Sequence, residues 1–270
     1  MPFPHNKSIL ITGGSAGLGL VMARYFAESG ARVAILGRDA QRLSDAVASL
    51  QSVALQEVLP LQADLTRTED VQRAISTVVE RNGRLDALIN CAGRSSRAPI
   101  ADVTAEQFQE LLEVNFLGAV RCTQAALPHL IASRGHVVFI GSLASKVASR
   151  YLGAYPASKY PLAAYAQQLR LELGPQGLHS LLVCPGPIRR DDAGERYNAQ
   201  AENLPESARK PGGGAKLKGI DPVDLTRRIV RACELRQAEL IVPGKARLLF
   251  AISQLWPALG DRLLLRFTSG

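Results

Sequence analysis

Short aliphatic and β-branched runs alternate with longer segments of helical periodicity along the whole chain, and no other feature restricts the fold as strongly. Buried parallel strands have nearly continuous apolar sequences, and a crossover helix must join each strand to the next. The alternation therefore predicts one α/β domain with a doubly wound, mostly parallel seven-stranded sheet and helices on both faces. The predicted strands are 8–12, 32–36, 58–62, 85–90, 136–140, 180–184 and 239–242. The predicted helices are 18–29, 40–50, 69–81, 105–132, 154–173 and 222–235.

The composition argues against several classes of function. The formal charge is +8, but 32 basic residues are scattered among 24 acidic ones, so we expect no nucleic-acid surface and some attraction for small anions. The four cysteines are widely spaced and form no C-x-x-C pair, which predicts buried reduced thiols and no metal site. Strand-like sequence begins too close to Met1 for a signal peptide, which favours a cytoplasmic protein.

The first predicted strand leads directly into a glycine-rich turn, Thr-Gly-Gly-Ser-Ala-Gly-Leu-Gly, and an apolar helix follows. Glycine lets the backbone turn sharply and approach a pyrophosphate, while the unpaired N–H groups of a helix N-terminus attract negative charge. A strand, such a turn and a helix in this order predict a dinucleotide site of the Rossmann type beyond the strand ends. The residues expected to contact the dinucleotide at this turn are Gly13, Ser15, Gly17, Leu18 and Gly19.

The end of the second predicted strand indicates which dinucleotide binds. An acidic residue there would hydrogen-bond the ribose 2′-hydroxyl of NAD, but this chain has Gly37 followed by Arg38. A guanidinium can pair with a 2′-phosphate in bidentate fashion, so NADP(H) is favoured over NAD(H). Asp39 would reverse this preference if its carboxylate turned toward the ribose. After the third strand, Asp64 is placed either to accept from the adenine amino group or to act as an N-cap or turn residue.

Tyr155 and Lys159 lie four residues apart at the start of a predicted helix. Positions i and i+4 share one helix face, so the phenol and the ammonium can converge on one point. Taken alone, this spacing is also common on helix surfaces. An ammonium beside a phenol favours the ionised phenol, which would suit Tyr155 to exchange a proton with a substrate oxygen.

Further motifs follow the glycine turn in order. They are Asn90-Cys91-Ala92-Gly93 after the fourth strand, Asn115 in a long helix, Ser142 thirteen residues before Tyr155, and Cys184-Pro185-Gly186-Pro187 after the sixth strand. With these motifs, residues 6–243 resemble the short-chain dehydrogenase/reductase family, whose patterns are T-G-x-x-x-G-x-G, N-N-A-G, a helix asparagine, a serine and P-G. Each motif is modest, but the order and spacing together are highly specific.

The resemblance implies an oxidoreductase with a catalytic tetrad of Asn115, Ser142, Tyr155 and Lys159. Tyr155 would exchange the proton, and Ser142 would donate a hydrogen bond to the substrate oxygen. Lys159 would bind the nicotinamide ribose and tune Tyr155, while Asn115 would hold a water that returns the proton. The resemblance also assigns cofactor contacts to Leu65, Asn90, Ala92, Gly93, Pro185, Gly186 and the backbone of Ile188, besides Tyr155 and Lys159.

The chain departs from the family pattern at two places. Arg190 stands where the family often has a threonine that contacts the nicotinamide carboxamide. With Arg189, it could bind an anionic substrate, reach the cofactor phosphates, or join a solvated network with nearby acids. Pro156 is tolerated in a first helical turn, whereas Pro161 is expected to remove one backbone hydrogen bond and bend the helix after Lys159.

Three segments are expected to form the substrate pocket, namely 94–100, 143–152 and 187–219. The last is polar and glycine-rich, and it is predicted to be a flexible lid. The apolar tail, 245–267, resembles tails of lipid-handling reductases and contains Pro257. Its apolar run 248–260 is only 13 residues long, too short to span a bilayer. The tail is expected to pack on the domain or a sister subunit, or to guide a long-chain ketone or contact a membrane surface.

The sequence thus favours an NADP-dependent oxidoreductase that acts on a hydrophobic ketone or secondary alcohol. The enzyme alternatives are a hydroxysteroid-type dehydrogenase, a ketosphinganine-type lipid reductase and a 3-oxoacyl thioester reductase, the last with Lys146, Arg150 and Arg189 as a basic pocket mouth. From another class, a nicotinamide-sensing binding protein is the alternative, although such proteins usually lose the tyrosine or the lysine. The family commonly forms homodimers or homotetramers through two long helices, here 105–132 and 154–173.

Overall fold

Seven parallel strands form one sheet in the computed structural model of the protein, which describes residues 3–190, 199–202, 204–209, 212, 214 and 217–268. The strand order β3-β2-β1-β4-β5-β6-β7 confirms the predicted doubly wound α/β fold. The order in which the chain adds strands reverses between β1 and β4, and such sheets bind ligands in the crevice that opens there. The strands are β1 Ser8–Thr12, β2 Arg32–Gly37, β3 Leu59–Gln62, β4 Ala87–Asn90, β5 His136–Ile140, β6 His179–Pro185 and β7 Glu239–Val242.

Helices join consecutive strands and cover both faces of the sheet. Their starts follow local sequence, as where Thr104 and Gln107 form a reciprocal capping box before α4. Helix α6 continues through Pro156 and Pro161 to its end. The helices are α1 Gly17–Glu28, α2 Ala40–Gln51, α3 Thr68–Asn82, α4 Ala105–Leu112, α5 Gly118–Ala132, α6 Tyr155–Leu173, α7 Glu206–Arg209, α8 Pro222–Glu234, α9 Ala246–Leu255 and α10 Pro257–Thr268.

The prediction of one continuous α-helix over 105–132 is wrong in one respect. A π-helical turn at Glu113–Leu117 separates α4 from α5. Such a turn widens the helix locally and re-aims a side chain, and it occurs frequently at functional sites. Apolar periodicity on either side is preserved, so the sequence pattern does not reveal it.

Two apolar layers enclose the sheet. Alternate strand side chains point to opposite faces, so Leu10 and Leu88 pack with α3, α5 and α6, whereas Ile9 and Ile11 pack with α1 and α8. All four side chains are fully buried, and each such burial contributes about 1.5–3 kcal/mol. The strand ends that carry the site are therefore anchored in a well-packed core.

The tail forms a helical hairpin that packs on the domain. The backbone of Trp256 breaks the helical path between α9 and α10. Phe250 is buried in the core, and Leu264 packs against the same cluster. The two helices approach so closely that a Cβ on Gly260 would lie 2.6 Å from the Cα of Ser253. Within the described part of the chain, no helix is long and apolar enough to cross a membrane.

Candidate active site

A buried threonine joins the ends of β1 and β4, where the site begins. Thr12 Oγ1 accepts hydrogen bonds from the backbone N–H groups of Cys91 and Ala92, each at 3.1 Å. The chain then turns at Gly13 with φ +68°, a conformation that favours glycine. A Cβ on Gly13 would lie 2.9 Å from the Cα of Ala92. A side chain at this position would therefore push the two strand ends apart.

Helix α1 presents an uncapped N-terminus to the crevice. The N-cap residue Ala16 provides no side-chain hydrogen bond, and the first turn contains no acidic residue. Its first N–H groups and positive end are therefore directed at the space in front of the turn. A Cβ on Gly19 would overlap the carbonyl oxygen of Gly13, so only glycine lets the helix pack this closely on the turn. Such an arrangement is a ready-made anion site.

The carboxylate of Asp39 caps α2, whereas the sequence also allowed it to turn toward the cofactor ribose. Its Oδ1 accepts from the backbone N–H of Arg42 at 3.0 Å, and its Oδ2 lies 3.5 Å from the Nε of Arg42. Arg38 is exposed, and its carbonyl oxygen accepts from Gln62 Nε2 at 3.2 Å. The basic side chains of Arg38 and Arg42 both border the cavity described below, together with Asp39.

Asp64 adopts the turn role that its position allowed. Its Oδ1 accepts from both the N–H and the hydroxyl of Thr66, each at 2.9 Å. Its own N–H donates to Asp70 Oδ2 at 3.1 Å. These contacts hold Asp64 at the edge of the cavity, next to the buried Leu65.

Asn115 lies in the π turn and uses its whole amide to join two elements. Its Nδ2 donates to the carbonyl of Arg94 and to Ser158 Oγ, and its Oδ1 accepts from the N–H of Arg94, all at 2.8 Å. The side chain therefore joins the segment after β4 to α6 at Ser158, the residue before Lys159. Its predicted role in holding a water stays a prediction.

Lys159 is buried beside the end of β5. Its Nζ donates to the carbonyl oxygen of Ile140 at 2.9 Å. Burial lowers the pKa of Lys159 to about 8, so the side chain is still mostly protonated at pH 7. A Cβ on Gly93 would lie 3.3 Å from this Nζ and 2.9 Å from Asn115 Oδ1. Glycine at position 93 thus makes room for both side chains.

Ser142 and Tyr155 border the same cavity as Lys159. Tyr155 is the first residue of α6 and is half-buried. The Oγ of Ser142 accepts from the N–H of Ala144 at 3.1 Å, and the N–H of Ser142 donates to Ser145 Oγ at 3.1 Å. Because Ser142 Oγ is an acceptor in this turn, its hydroxyl proton can be donated to a substrate oxygen.

One cavity of about 1080 Å³ joins these groups. Every residue predicted from the sequence to be catalytic or to bind the cofactor borders it except Gly17, Asn90 and Asn115. The amide of Asn90 instead donates to Thr123 Oγ1 on α5 at 3.2 Å, behind the cavity wall. The hairpin of α9 and α10 forms the opposite wall with the apolar residues Leu248, Leu249, Phe250, Ile252, Leu263 and Leu264.

Arg97 lies in the predicted pocket segment 94–100, but the sequence did not single it out or indicate that it is buried. It is only 5% exposed, its Nε donates to the carbonyl of Ala208 at 2.9 Å, and its N–H donates to Gln200 Oε1 at 3.1 Å. It therefore fastens described parts of the predicted lid, 187–219, to the segment after β4. Other residues of that lid, including 191–198, lie outside the described residues. Only tertiary burial distinguishes Arg97 from the many solvated arginines of this chain.

A histidine pair lies at the amino ends of β5 and β6, opposite the strand ends that form the site. His136 begins β5 and His179 begins β6, and their Nδ1 atoms are 2.8 Å apart. The Nε2 of His179 donates to the carbonyl of Gln237 at 2.8 Å, so its Nδ1 must accept the proton of His136. Burial lowers the pKa of His136 to about 3 and of His179 to about 4. The Cys233 sulfur lies within 4.8 Å of a nitrogen of each ring. The hydrogen bond between the two rings is sufficient to account for their close approach.

Known proteins resemble this chain over most of its length. A family model described as short chain dehydrogenase matches residues 7–201. Dehydrogenase/reductase SDR family member 7B from Danio rerio is 33% identical over 270 residues, which cover 97% of this chain and 86% of the relative. L-fucose dehydrogenase from Bos taurus is 36% identical over 187 residues, which cover 67% of this chain and 66% of the relative. A short chain dehydrogenase from Burkholderia cenocepacia J2315, solved in complex with NADP, has a TM-score of 0.74 and 29% identity, covering 88% of this chain and 96% of its own.

Fold, site and comparisons together define a Rossmann-fold oxidoreductase. The chain belongs to the short-chain dehydrogenase/reductase family, as its motifs predicted. Proteins of this family are enzymes that bind nicotinamide cofactors and act on small molecules.

Proposed function

We propose that the protein transfers hydride between NADP(H) and a carbonyl or secondary alcohol, with a hydrophobic ketone as the substrate. The observation that carries this proposal is the single cavity that joins the glycine turn, the Ser142, Tyr155 and Lys159 side chains, and the apolar wall of α9 and α10. A cofactor at the glycine turn and an apolar substrate at the α9 and α10 wall can therefore meet at the polar groups between them.

The residues at the glycine turn fit a dinucleotide, because α1 begins without a side-chain cap or an acidic residue. When bound, NADPH supplies the hydride. The backbone of Ile188 suits a carboxamide: its bridge to Ile220 uses the N–H of Arg189 and the carbonyl of Pro187, so its own N–H and carbonyl face the other way. Ile188 also borders the cavity.

Tyr155 is the proposed proton donor in the direction of reduction. Negative charge builds on the substrate oxygen as hydride arrives, and a phenol within hydrogen-bond reach can transfer its proton there. Ser142 would donate a second hydrogen bond to the same oxygen. The protonated Lys159 would stabilise the ionised phenol, and the contacts of Asn115 with Ser158 would hold α6 in place.

A preference for NADP(H) over NAD(H) is supported by the end of β2. The carboxylate of Asp39 is engaged with the first turn of α2, which leaves Arg38 as the residue suited to a 2′-phosphate. The Burkholderia cenocepacia protein was solved in complex with NADP, which supports NADP(H) as a cofactor of this fold.

A hydrophobic ketone is favoured over a 3-oxoacyl thioester because the expected basic pocket mouth is occupied by other contacts. Lys146 pairs with Glu239, Arg189 pairs with Asp221, and the guanidinium of Arg150 lies 5.6 Å from the ring centre of Tyr151. The apolar wall of α9 and α10 offers contacts to an aliphatic or cyclic substrate instead.

The test is NADPH oxidation by the full chain with a panel of long-chain, cyclic and charged ketones and one 3-oxoacyl thioester. We expect turnover with apolar ketones, and kcat/KM should rise with apolar size. Turnover confined to the thioester would favour the thioester alternative. Tight NADPH binding without turnover of any compound would contradict the proposal and support the sensing alternative.

Two contact surfaces also follow from exposed apolar residues. Self-association through α4, α5 and α6 is supported by Leu117 in the π turn between α4 and α5, which is 38% exposed, and by Leu171 on α6, which is 70% exposed. Sedimentation velocity should show a dimer or tetramer, and Leu171→Glu should weaken this association.

The outer face of α9 and α10 exposes Leu255 and Trp256 beside basic residues and is proposed to touch a membrane surface.

A further inference from the structure

Two consecutive residues of α6 hold the backbone on either side of Ser142. The Nζ of Lys159 donates to the carbonyl oxygen of Ile140, just before Ser142, at 2.9 Å. The Oη of Tyr160 donates to the carbonyl oxygen of Lys146, just after the turn that begins at Ser142, at 2.7 Å. Both ends of the segment that carries Ser142 are therefore attached to the same helix.

Hydrogen bonds within the turn connect Lys146 to Ser142. The N–H of Lys146 donates to the carbonyl of Leu143 at 3.0 Å. The N–H of Ser145 donates to the carbonyl of Ser142 at 2.9 Å, and the Ser145 hydroxyl accepts from the N–H of Ser142 at 3.1 Å. Ser145 is only 1% exposed, so water does not readily replace these bonds. A shift of Lys146 would therefore disturb the bonds that fix Ser142.

The side chain of Lys146 attaches the turn to the sheet as well. Its Nζ pairs with the carboxylate of Glu239, the first residue of β7, and the two side chains are 26% and 25% exposed. Glu239 is itself held by the pairing of β7 with β6. The carbonyl of Glu239 also accepts from Arg247 Nη2 in α9 at 3.3 Å. This ion pair is a second, partly solvated support for the same turn.

We infer that Tyr160 is a positioning residue, which holds the hydroxyl of Ser142 in place relative to the phenol of Tyr155. The two hydroxyls have to reach one substrate oxygen, and Tyr155 and Tyr160 lie on the same helix. A misplacement of about 1 Å in such a geometry can lower a rate on the order of 10²-fold. Tyr160 does not border the cavity, so it acts through Ser142 and not on the substrate. The inference rests on the proposed function and deepens it by adding this residue.

The test is a double-mutant cycle on ketone reduction by the full chain, with the wild type, Tyr160→Phe, Ser142→Ala and the double variant. Tyr160→Phe should lower kcat about fivefold, the loss expected for one hydrogen bond, and leave the NADPH dissociation constant unchanged. In the Ser142→Ala background the same change should alter kcat less than about twofold, because its effect requires Ser142. Tyr165→Phe is the matched control, since it removes from α6 a hydroxyl that bonds Thr123 instead.

Hydrogen–deuterium exchange adds a measurement that needs no turnover. Tyr160→Phe should speed exchange of the amide protons in peptides that cover 142–147 about fivefold, whereas Tyr165→Phe should leave these peptides unchanged. Glu239→Gln removes the charge that holds Lys146 and should speed exchange in the same peptides by a smaller factor, because the ion pair is partly exposed.

The outcomes separate this inference from the proposed function. Additive kcat losses in the double variant, or unchanged exchange over 142–147 in Tyr160→Phe, would overturn the inference. Equal kcat losses in Tyr160→Phe and Tyr165→Phe would also overturn it, since they would reflect a general loosening of α6. Faster exchange over 142–147 in Tyr160→Phe, without ketone turnover by the wild type, would support the attachment of the turn and contradict the proposed function.

Discussion

The ammonium of Lys159 donates a 2.9 Å hydrogen bond to the carbonyl oxygen of Ile140, the last residue of β5. This bond anchors α6 to the strand that ends just before Ser142, so the elements that carry Ser142 and Tyr155 are held together. Burial lowers the pKa of Lys159 to about 8, which leaves it mostly protonated near neutral pH. The ammonium can then act both as the anchor and as the positive charge that the proposed chemistry needs.

Ser158→Ala should lower both stability and turnover. The buried Ser158 Oγ accepts from Asn115 Nδ2 and donates to the carbonyl of Tyr155, both at 2.8 Å. Without it, a buried amide loses an acceptor at a cost of about 1–3 kcal/mol, and kcat should fall more than KM changes. Urea unfolding and steady-state kinetics measure the two effects. Ser49→Ala, which removes a comparable hydroxyl from α2, is the control, and equal behaviour of the two variants would refute this role.

Arg38→Gln should change the cofactor preference without damaging the site. Loss of a bidentate partner for the 2′-phosphate should raise the dissociation constant of NADPH about tenfold or more and leave that of NADH nearly unchanged. Calorimetry with both cofactors provides the measurement, and NADH serves as the internal control. A wild type that prefers NADH would contradict the assignment of Arg38.

The histidine pair should make stability depend on pH in the acid range. The pKa of His136 falls from 6.5 to about 3 and that of His179 from 6.5 to about 4 on folding, so between these values the unfolded chain binds more protons. Their contribution is therefore complete above pH 6.5 and is lost as the pH falls toward 4 and 3, by up to about 1.4 kcal/mol per pH unit for each ring. Urea unfolding at several pH values measures this slope.

The control for this prediction is His129→Gln, which changes a histidine of α5 outside the pair. It should keep the wild-type slope, whereas a double His136→Gln and His179→Gln variant should flatten it. If the double variant keeps the full slope, other groups cause the acid sensitivity.

Trp256 provides a direct probe of the proposed membrane surface. It is the only tryptophan of the chain, it is 60% exposed, and it lies between α9 and α10. With vesicles that contain an anionic lipid, its emission should shift to shorter wavelength, and zwitterionic vesicles should have less effect. A double Arg262→Glu and Arg266→Glu variant should reduce the shift. Identical spectra with and without anionic vesicles would rule out this contact.

Residues that follow directly from strand ends can be placed near one another from the sequence. Gly13 and Ser142 each lie just beyond a parallel strand, and parallel strand ends must meet at one edge of a sheet. The four-residue spacing of Tyr155 and Lys159 is likewise a local property of a helix. These positions could therefore be named without a structure.

Other features depend on contacts between distant segments. The π turn around Asn115 leaves the apolar pattern of the helix intact, and the burial of Arg97 depends on Ala208, more than a hundred residues away. The pairing of His136 with His179 requires the register of β5 against β6. Such positions carry no local signal, because the same residue types occur throughout exposed surfaces.

The central claim is that Tyr155 transfers the proton at the substrate oxygen, and Tyr155→Phe tests it most directly. The measurement combines the NADPH dissociation constant with the rate of NADPH oxidation on the best ketone of the panel. The rate should fall by about 10²–10⁴-fold while NADPH affinity stays nearly unchanged, because only the general acid is removed. A variant that reduces the ketone at close to the wild-type rate would contradict the account.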